Sequence, residues 1–271
     1  MGTALKRYSL RFGILLILLS FRCASAPCQH IIVTGDPNYA PLTWQRNDSK
    51  VRLKGFGVRM LEDAFKNQRV KITPSFEGNW SRALDSIKRG VTNMIIVPYK
   101  TLDRSKHLQF IEPPLALTQM TLFYRRQENA WNYQGLKDLF GKVGVGVRGH
   151  SGGDKFDAFE QEKMDVKKVS SIDQAVLMLA KNRVDYAVLD LVPALVQIDR
   201  LNLQTKLVYV HTPLNREGIY FAVSAKVDCP IWTATIKQYL ENLTEAQKLT
   251  LIRDALLEWR QELAAGNKQH P

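Results

Sequence analysis

The chain has 271 residues, 45% hydrophobic and 24% charged, with 38 Lys and Arg against 26 Asp and Glu for a formal net charge of +12. That balance excludes a disordered or fibrous chain and leaves enough apolar material for one large core or two smaller ones. The positive charge is scattered, with no run of five like charges and no basic stripe interleaved with aromatics, which argues against nucleic-acid binding and supports at most a mild attraction to anions.

At the start of the chain, Lys6, Arg7 and Arg11 precede an uncharged run from Phe12 to Phe21 and small residues around Ala24 to Ala26. This is the pattern of a secretory signal peptide over residues 1–26, with an apolar run too short to span a bilayer. Cleavage after Ser25 and after Ala26 both fit. Export to the periplasm is expected, and the leader is set aside from the fold. Loss of Lys6, Arg7, Arg11 and Arg22 leaves 34 Lys and Arg against 26 Asp and Glu, a mature net charge of about +8. Two cysteines, Cys28 and Cys229, remain after processing; an exported chain permits a disulfide between them, with two free thiols as the alternative. The histidines and cysteines have no metal-ligand spacing, so no metal or other cofactor is expected.

The first part of the mature chain alternates strands and helices. Strands are expected at Ile31–Thr34, Val70–Thr73 and Met94–Val97. A helix near Val58–Asn67 presents Val58, Leu61 and Phe65 on one face, and a second over Asn79–Arg89 presents Trp80, Ala83, Leu84 and Ile87. Such alternation predicts a largely parallel sheet. The Met94–Val97 strand is expected to stop at Pro98, and Tyr99, Lys100, Thr101 and Arg104 then supply hydroxyls and cations at its carboxyl end, where open α/β sheets place ligands. An arginine there grips a carboxylate through two parallel hydrogen bonds, a geometry lysine lacks.

The second part repeats the scheme, with a strand at Val143–Val147, a helix from Gly152, a helix over Ser171–Lys181 and a strand at Tyr186–Leu189. Ser171 with Gln174 and Thr244 with Gln247 read as capping boxes. The segment from Ala83 lies without gaps against that from Ala175, and the overlay matches Pro98 with Asp190. Two similar lobes with facing ligand edges are therefore predicted. The extended runs Leu117–Arg125 and Gly218–Val223 would cross between them as a two-strand hinge about Leu122–Tyr124 and Ile219–Phe221. The expected division is residues 27–122 as the first part of lobe 1, 123–217 as lobe 2, 218–265 as a return to lobe 1 with C-terminal helices, and 266–271 as a tail.

Six blocks, in order, carry a family resemblance: GDPNYAPLTW (Gly35 to Trp44), KGFGVRMLEDAF (Lys54 to Phe65), NWSRALDSIKRG (Asn79 to Gly90), YKTLDR (Tyr99 to Arg104), KVGVGVRGHSGG (Lys142 to Gly153) and VDYAVLD (Val184 to Asp190). Over about Ile31 to Leu263 the chain resembles the bacterial extracellular solute-binding proteins of family 3, the amino-acid receptors of ABC transporters. The resemblance implies a two-lobed type II periplasmic-binding-protein fold, each lobe a mostly parallel sheet flanked by helices. It implies a ligand-binding set of Tyr39, Trp80, Tyr99, Thr101, Arg104, Ser151, Gly152 and Asp190. In that set Tyr39 and Trp80 are the aromatic walls, and Arg104 with Thr101 binds a carboxylate. Ser151 with the Gly152 backbone meets the same carboxylate at a helix start, where exposed N–H groups favour an anion, and Asp190 takes an ammonium. Two departures from the family pattern stand out: the usual serines at the strand end are replaced by Ile96, Val97, Pro98 and Tyr99, and Asn93 replaces a frequent aspartate of structural rather than ligand-binding role. Arg148 and His150 add positive charge beside the helix start, hinting at an extra anionic group on the ligand.

The glycines of Gly144, Gly146 and Gly149 spell GxGxxG, but the first two lie inside the strand, and no acidic residue ends a second strand about 20 residues on, so a dinucleotide site is rejected. Gly135 to Val143 misses the phosphate-loop pattern. No catalytic residue is expected. The reading is thus a monomeric exported receptor for a small amino acid or carboxylate, partnered by an ABC permease. The alternatives are a cyclohexadienyl-dehydratase-like enzyme on the same fold, using Asp36 or Asp190 as acid or base, and a ligand-sensing partner of a membrane receptor.

Overall fold

The structure, a computed structural model, describes residues 28–45, 52–126 and 133–267; the expected leader lies outside them. The chain opens with β1 (His30–Thr34), which buries Ile31 and Val33. A small antiparallel sheet follows, made of β2 (Asn38–Tyr39), β3 (Thr43–Gln45) and β4 (Leu53–Lys54). Strands of two or three residues have no legible period, and none of these is predicted from the sequence. Next come α1 (Phe56–Phe65), which buries Phe56, Val58, Met60, Leu61 and Phe65, and β5 (Lys71–Pro74). In α2 (Trp80–Arg89) the Asn79 side chain accepts from Arg82 N at 3.1 Å at one end, and left-handed Gly90 closes the other.

The next strand, β6 (Met94–Tyr99), is buried at every position and runs through Pro98 to Tyr99, two residues beyond its expected last residue, Val97. Proline is tolerated there because the pairing with the last strand of the chain slips, Ile96 facing Phe221 and Tyr99 facing Ile219. Val97 sits at φ 68°, rare for a β-branched residue, at the same irregularity.

A short helix α3 (Leu102–Ser105) leads into the long strand β7 (Leu108–Arg125). After a single 3-10 turn at Leu136–Leu139 come β8 (Val143–Val147), α4 (Asp154–Lys163), β9 (Asp165–Val169), α5 (Ile172–Ala180), β10 (Tyr186–Asp190), α6 (Leu191–Arg200), β11 (Leu207–Tyr209), β12 (Asn215–Ser224), α7 (Pro230–Asn242) and α8 (Glu245–Asn267). The edge strand β9 has no apolar alternation, and the sequence does not reveal it.

The main sheet runs β5-β1-β6-β12-β7-β10-β8-β9, with β11 also paired to β7. Its wings are parallel, β5-β1-β6 on one side and β10-β8-β9 on the other. Between them β12 and β7 are antiparallel to each other and to their neighbours and pass from one wing to the other. This is a two-lobed α/β architecture. The echo between the segments from Ala83 and Ala175 is realised as α2–β6 and α5–β10, whose strands flank the crossing pair on opposite sides.

The crossing strands slip register between the pairs Ile111–Phe221 and Ala116–Ile219. Leu122 and Phe123 instead pair with Val188 and Ala187 and are fully buried, so they lie within the second wing. The capping box at Thr244 is reciprocal, Thr244 N donating to Gln247 Oε1 at 2.8 Å and Gln247 N to Thr244 Oγ1 at 3.2 Å. Ser171 makes half of one: its Oγ accepts from Gln174 N at 3.3 Å, while the Gln174 side chain accepts from Ser170 N at 3.0 Å.

The last helices pack on the first wing. Cys28 and Cys229 form a disulfide with Cα atoms 5.6 Å apart. The Trp232 indole donates to the Cys28 carbonyl at 2.8 Å, and Lys54 bridges Glu258 and Glu262 at 2.8 and 2.6 Å. Among the described residues no helix is long and apolar enough to cross a membrane.

Candidate functional site

The carboxyl ends of β1 and β6 and the starts of α2 and α3 face, across the crossing strands, the end of β10 and the β8–α4 loop. Asp36, Tyr39, Trp80, Val97, Tyr99 and Arg104 from the first wing and His150, Ser151 and Asp190 from the second line one narrow cavity. Each side chain is placed by a local cause. Trp80 is the first residue of α2 and Arg104 the third of α3, capped by Thr101 Oγ1, which accepts from Arg104 N at 3.2 Å. Asp190 ends β10 and is 1% exposed.

The Arg104 guanidinium donates to the carbonyls of Tyr99 at 2.8 Å and Gly149 at 2.7 Å and lies 5.8 Å from the Trp80 ring centroid. Gly149 has φ 82°, and the turn aims its carbonyl at both Arg104 and the Trp80 indole, which donates at 2.8 Å. Burial lowers the Arg104 pKa to about 10, and the group stays cationic at neutral pH. At the opposite end Tyr99 donates its hydroxyl to Asp190, His150 Nε2 lies 2.7 Å from Asp36 Oδ2, and His150 Nδ1 is 4.0 Å from Asp190 Oδ2. Burial pushes the Asp190 carboxyl up, against the opposing pull of His150 and Tyr99. The Tyr39 and Trp80 rings both meet the His150 ring edge-on, at 5.7 and 6.2 Å. Burial first, and then Asp190, raise the pKa of Tyr39, whose hydroxyl faces Asp190 without closing a hydrogen bond of regular geometry.

Of the eight residues expected from the sequence, Tyr39, Trp80, Tyr99, Arg104, Ser151 and Asp190 line this cavity. Thr101 lies in the adjoining open groove, which Arg104, His150, Ser151 and Asp157 also line. Gly152 stands behind Ser151; a Cβ there would come within 2.5 Å of Phe156 and 3.0 Å of Met120 Sδ, so only glycine fits. Its N–H donates to Asp157 at 2.7 Å. Arg148 turns away, its guanidinium donating to the Lys168 carbonyl at 3.0 Å, and His150 is engaged by Asp36, so neither presents the free positive charge expected beside the helix start. Three residues of this region were not in the expected set: Asp36, whose position in the GDPNY block marked it only as a candidate acid, His150 and Asp157. The last looks like an ordinary first-turn acid of α4, and no one-dimensional signal distinguishes it. Among the described residues no cluster has the makings of a metal site.

A cation and a helix start at one end of a cleft between two α/β lobes, buried carboxylates at the other and aromatic rings along it suit the binding of a small solute. The chain belongs to the bacterial extracellular solute-binding proteins, family 3, which it matches over residues 31–258. No curated protein matches. Among solved structures, a histidine kinase sensor domain with similarity to periplasmic binding proteins aligns with TM-score 0.70 and 22% identity, covering 84% of this chain and 97% of that one. A mutant of ArgBP from T. maritima aligns with TM-score 0.70 and 18% identity, covering 85% and 96%. The amino acid ABC transporter substrate-binding protein AbpA from Streptococcus pneumoniae, bound to L-arginine, aligns with TM-score 0.70 and 16% identity, covering 84% and 94%. At these identities the likeness shows the fold alone.

Proposed function

We propose that the protein is an exported, non-catalytic solute-binding protein that captures a small zwitterionic or anionic ligand, a polar amino acid or related carboxylate, for an ABC permease. The observation that carries this reading is the convergence of Arg104, Ser151 and Asp190, contributed by opposite lobes, on one cavity. The ligand carboxylate faces Arg104, Ser151 and the Gly152 N–H, where charge-assisted and helix-start hydrogen bonds favour an anion. A protonated amine faces Asp190, and Tyr39, Trp80 and Tyr99 pack against the ligand body. The lobes close over it by bending where β7 and β12 slip register, between Ile111 and Ala116 and between Ile219 and Phe221.

The test is a thermal-shift screen of the purified mature protein against the L-amino acids and small carboxylates. A ligand specific for the folded form stabilises it by about 2.7 kcal/mol at one hundred times its dissociation constant. A family-wide screen with no shift contradicts the reading, and turnover of arogenate or prephenate would make the protein an enzyme. The likeness in fold to a histidine kinase sensor domain favours one second reading, a ligand-sensing partner of a membrane receptor. Copurification with a membrane kinase and not with a permease would select it.

A further inference from the structure

The anion end of the cleft already holds a carboxylate of the protein's own. Ser151 Oγ donates to one oxygen of Asp157, and Gly152 N donates to the other at 2.7 Å. A hydroxyl and a backbone N–H at the start of α4 thus grip both oxygens of a single carboxylate, which is the arrangement an incoming ligand carboxylate would need. Asp157 is also the leading charge that favours the cationic form of Arg104. The helix does not depend on Asp157 for its start: Asp157 N bonds the Gly153 carbonyl at 2.9 Å within the helix, Gly153 N donates to Ser151 Oγ at 3.0 Å, and the nearby Asp154 carboxylate accepts instead from Leu102 N at 3.1 Å. A second feature points to a ligand in this cavity: Tyr39, 3% exposed, lines it with a hydroxyl that faces Asp190 without closing a hydrogen bond of regular geometry. Asp157 is half-buried and borders the open groove beside Thr101 and Arg104, which gives its side chain room to leave.

We propose that Asp157 is a built-in competitor for the ligand carboxylate: ligand binding exchanges one carboxylate for the other on Ser151 and Gly152, and Asp157 swings into the adjoining groove. This rests on the cleft being the ligand site proposed above. The exchange sets specificity. A tethered carboxylate acts at an effective concentration in the millimolar range or higher. A bare carboxylate with one point of attachment does not displace it, whereas a ligand that also places an amine on Asp190 does. Asp157 thereby selects amino acids over simple organic acids.

Asp157→Ala and Asp157→Asn test this, with acetate as the probe and acetamide as its neutral control. Acetate should raise the melting temperature of both variants saturably while leaving the parent unchanged, and acetamide should act on none of them. The Asn variant keeps the size of the side chain and serves if the Ala variant does not fold. In the amino-acid screen, any compound that binds the parent should bind Asp157→Asn about tenfold more tightly or better. Equal acetate responses in the parent and in the folded variants overturn the proposal. If acetate distinguishes the variants from the parent but no amino acid binds any of them, the seat stands and the amino-acid function falls. If amino acids bind the parent but acetate does not separate the variants from it, the function stands and the competitor falls.

Discussion

Replacement of Arg104 by alanine separates its structural part from its ligand-binding part. In the structure two of its N–H groups serve the carbonyls of Tyr99, at 2.8 Å, and Gly149, at 2.7 Å. A guanidinium carries five donors, so others remain for a ligand carboxylate. The Gly149 carbonyl keeps the Trp80 indole as donor at 2.8 Å, and the change therefore strands one carbonyl rather than two. At about 1 to 2 kcal/mol, that structural loss leaves the protein folded. The ligand contact is charge-assisted and worth about 1.5 to 3 kcal/mol, so Arg104→Ala should weaken binding by about 10- to 150-fold. Arg104→Lys should recover only part of this, because an ammonium cannot reproduce the fork. Isothermal titration with whichever amino acid most raises the parent melting temperature provides the measurement, with circular dichroism confirming the fold. An unchanged dissociation constant in a folded Arg104→Ala protein would refute the assignment of the carboxylate end.

Asp190→Asn keeps shape but removes the charge that selects an amine; it should weaken binding of an amino acid by about tenfold or more, while a ligand that binds it as tightly as the parent is a carboxylate without an amine. The same variant has a pH signature. Burial raises the folded-state pKa of Asp190, so its contribution to stability is present below the unfolded carboxyl value near 3.9 and is lost as pH rises through the higher folded value. The stability of Asp190→Asn relative to the parent should therefore increase as pH rises above about 4, and a pH-independent difference in melting temperature would contradict the cause assigned to the shift. Cys229→Ser opens a disulfide between cysteines 201 residues apart, which the chain-entropy account values at about 5 kcal/mol; denaturant unfolding with and without reductant should show a loss of several kcal/mol, and a loss below about 1 kcal/mol would contradict that account. Gly152→Ala drives a methyl group against Phe156 and Met120 Sδ. It should cost about 1 to 3 kcal/mol and abolish binding at the Ser151 end, and a variant that binds as the parent does would place the ligand elsewhere.

The fold was largely legible because its repeating units are long enough to show a period. In α2, Trp80, Ala83 and Ile87 recur on one face and are buried, and the run from Met94 to Val97 is apolar because β6 is covered on both faces. Where the chain uses pieces of two or three residues, as at Asn38–Tyr39 and Leu53–Lys54, no period can form, and these strands appear only when their partners are known. Leu122 and Phe123 look like any extended apolar run until their pairing with β10 places them in the second wing. In the site, the residues brought together were those with a chemically distinctive side chain at a strand end or helix start, such as Arg104 and Asp190. What could not be read is which acid answers which base. The Asp36–His150 contact joins residues 114 apart, and the Asp157 carboxylate folds back on Ser151 six residues earlier; both depend on side-chain placement in three dimensions.

A crystal structure of the protein with the amino acid that stabilises it most tests the central claim directly. The account predicts the ligand in the cavity between the lobes, its carboxylate within about 3 Å of Arg104 and Ser151 Oγ and its amine within about 3 Å of an Asp190 oxygen. A ligand seated outside that cavity, or held in it with contacts to neither Arg104 nor Asp190, would contradict it.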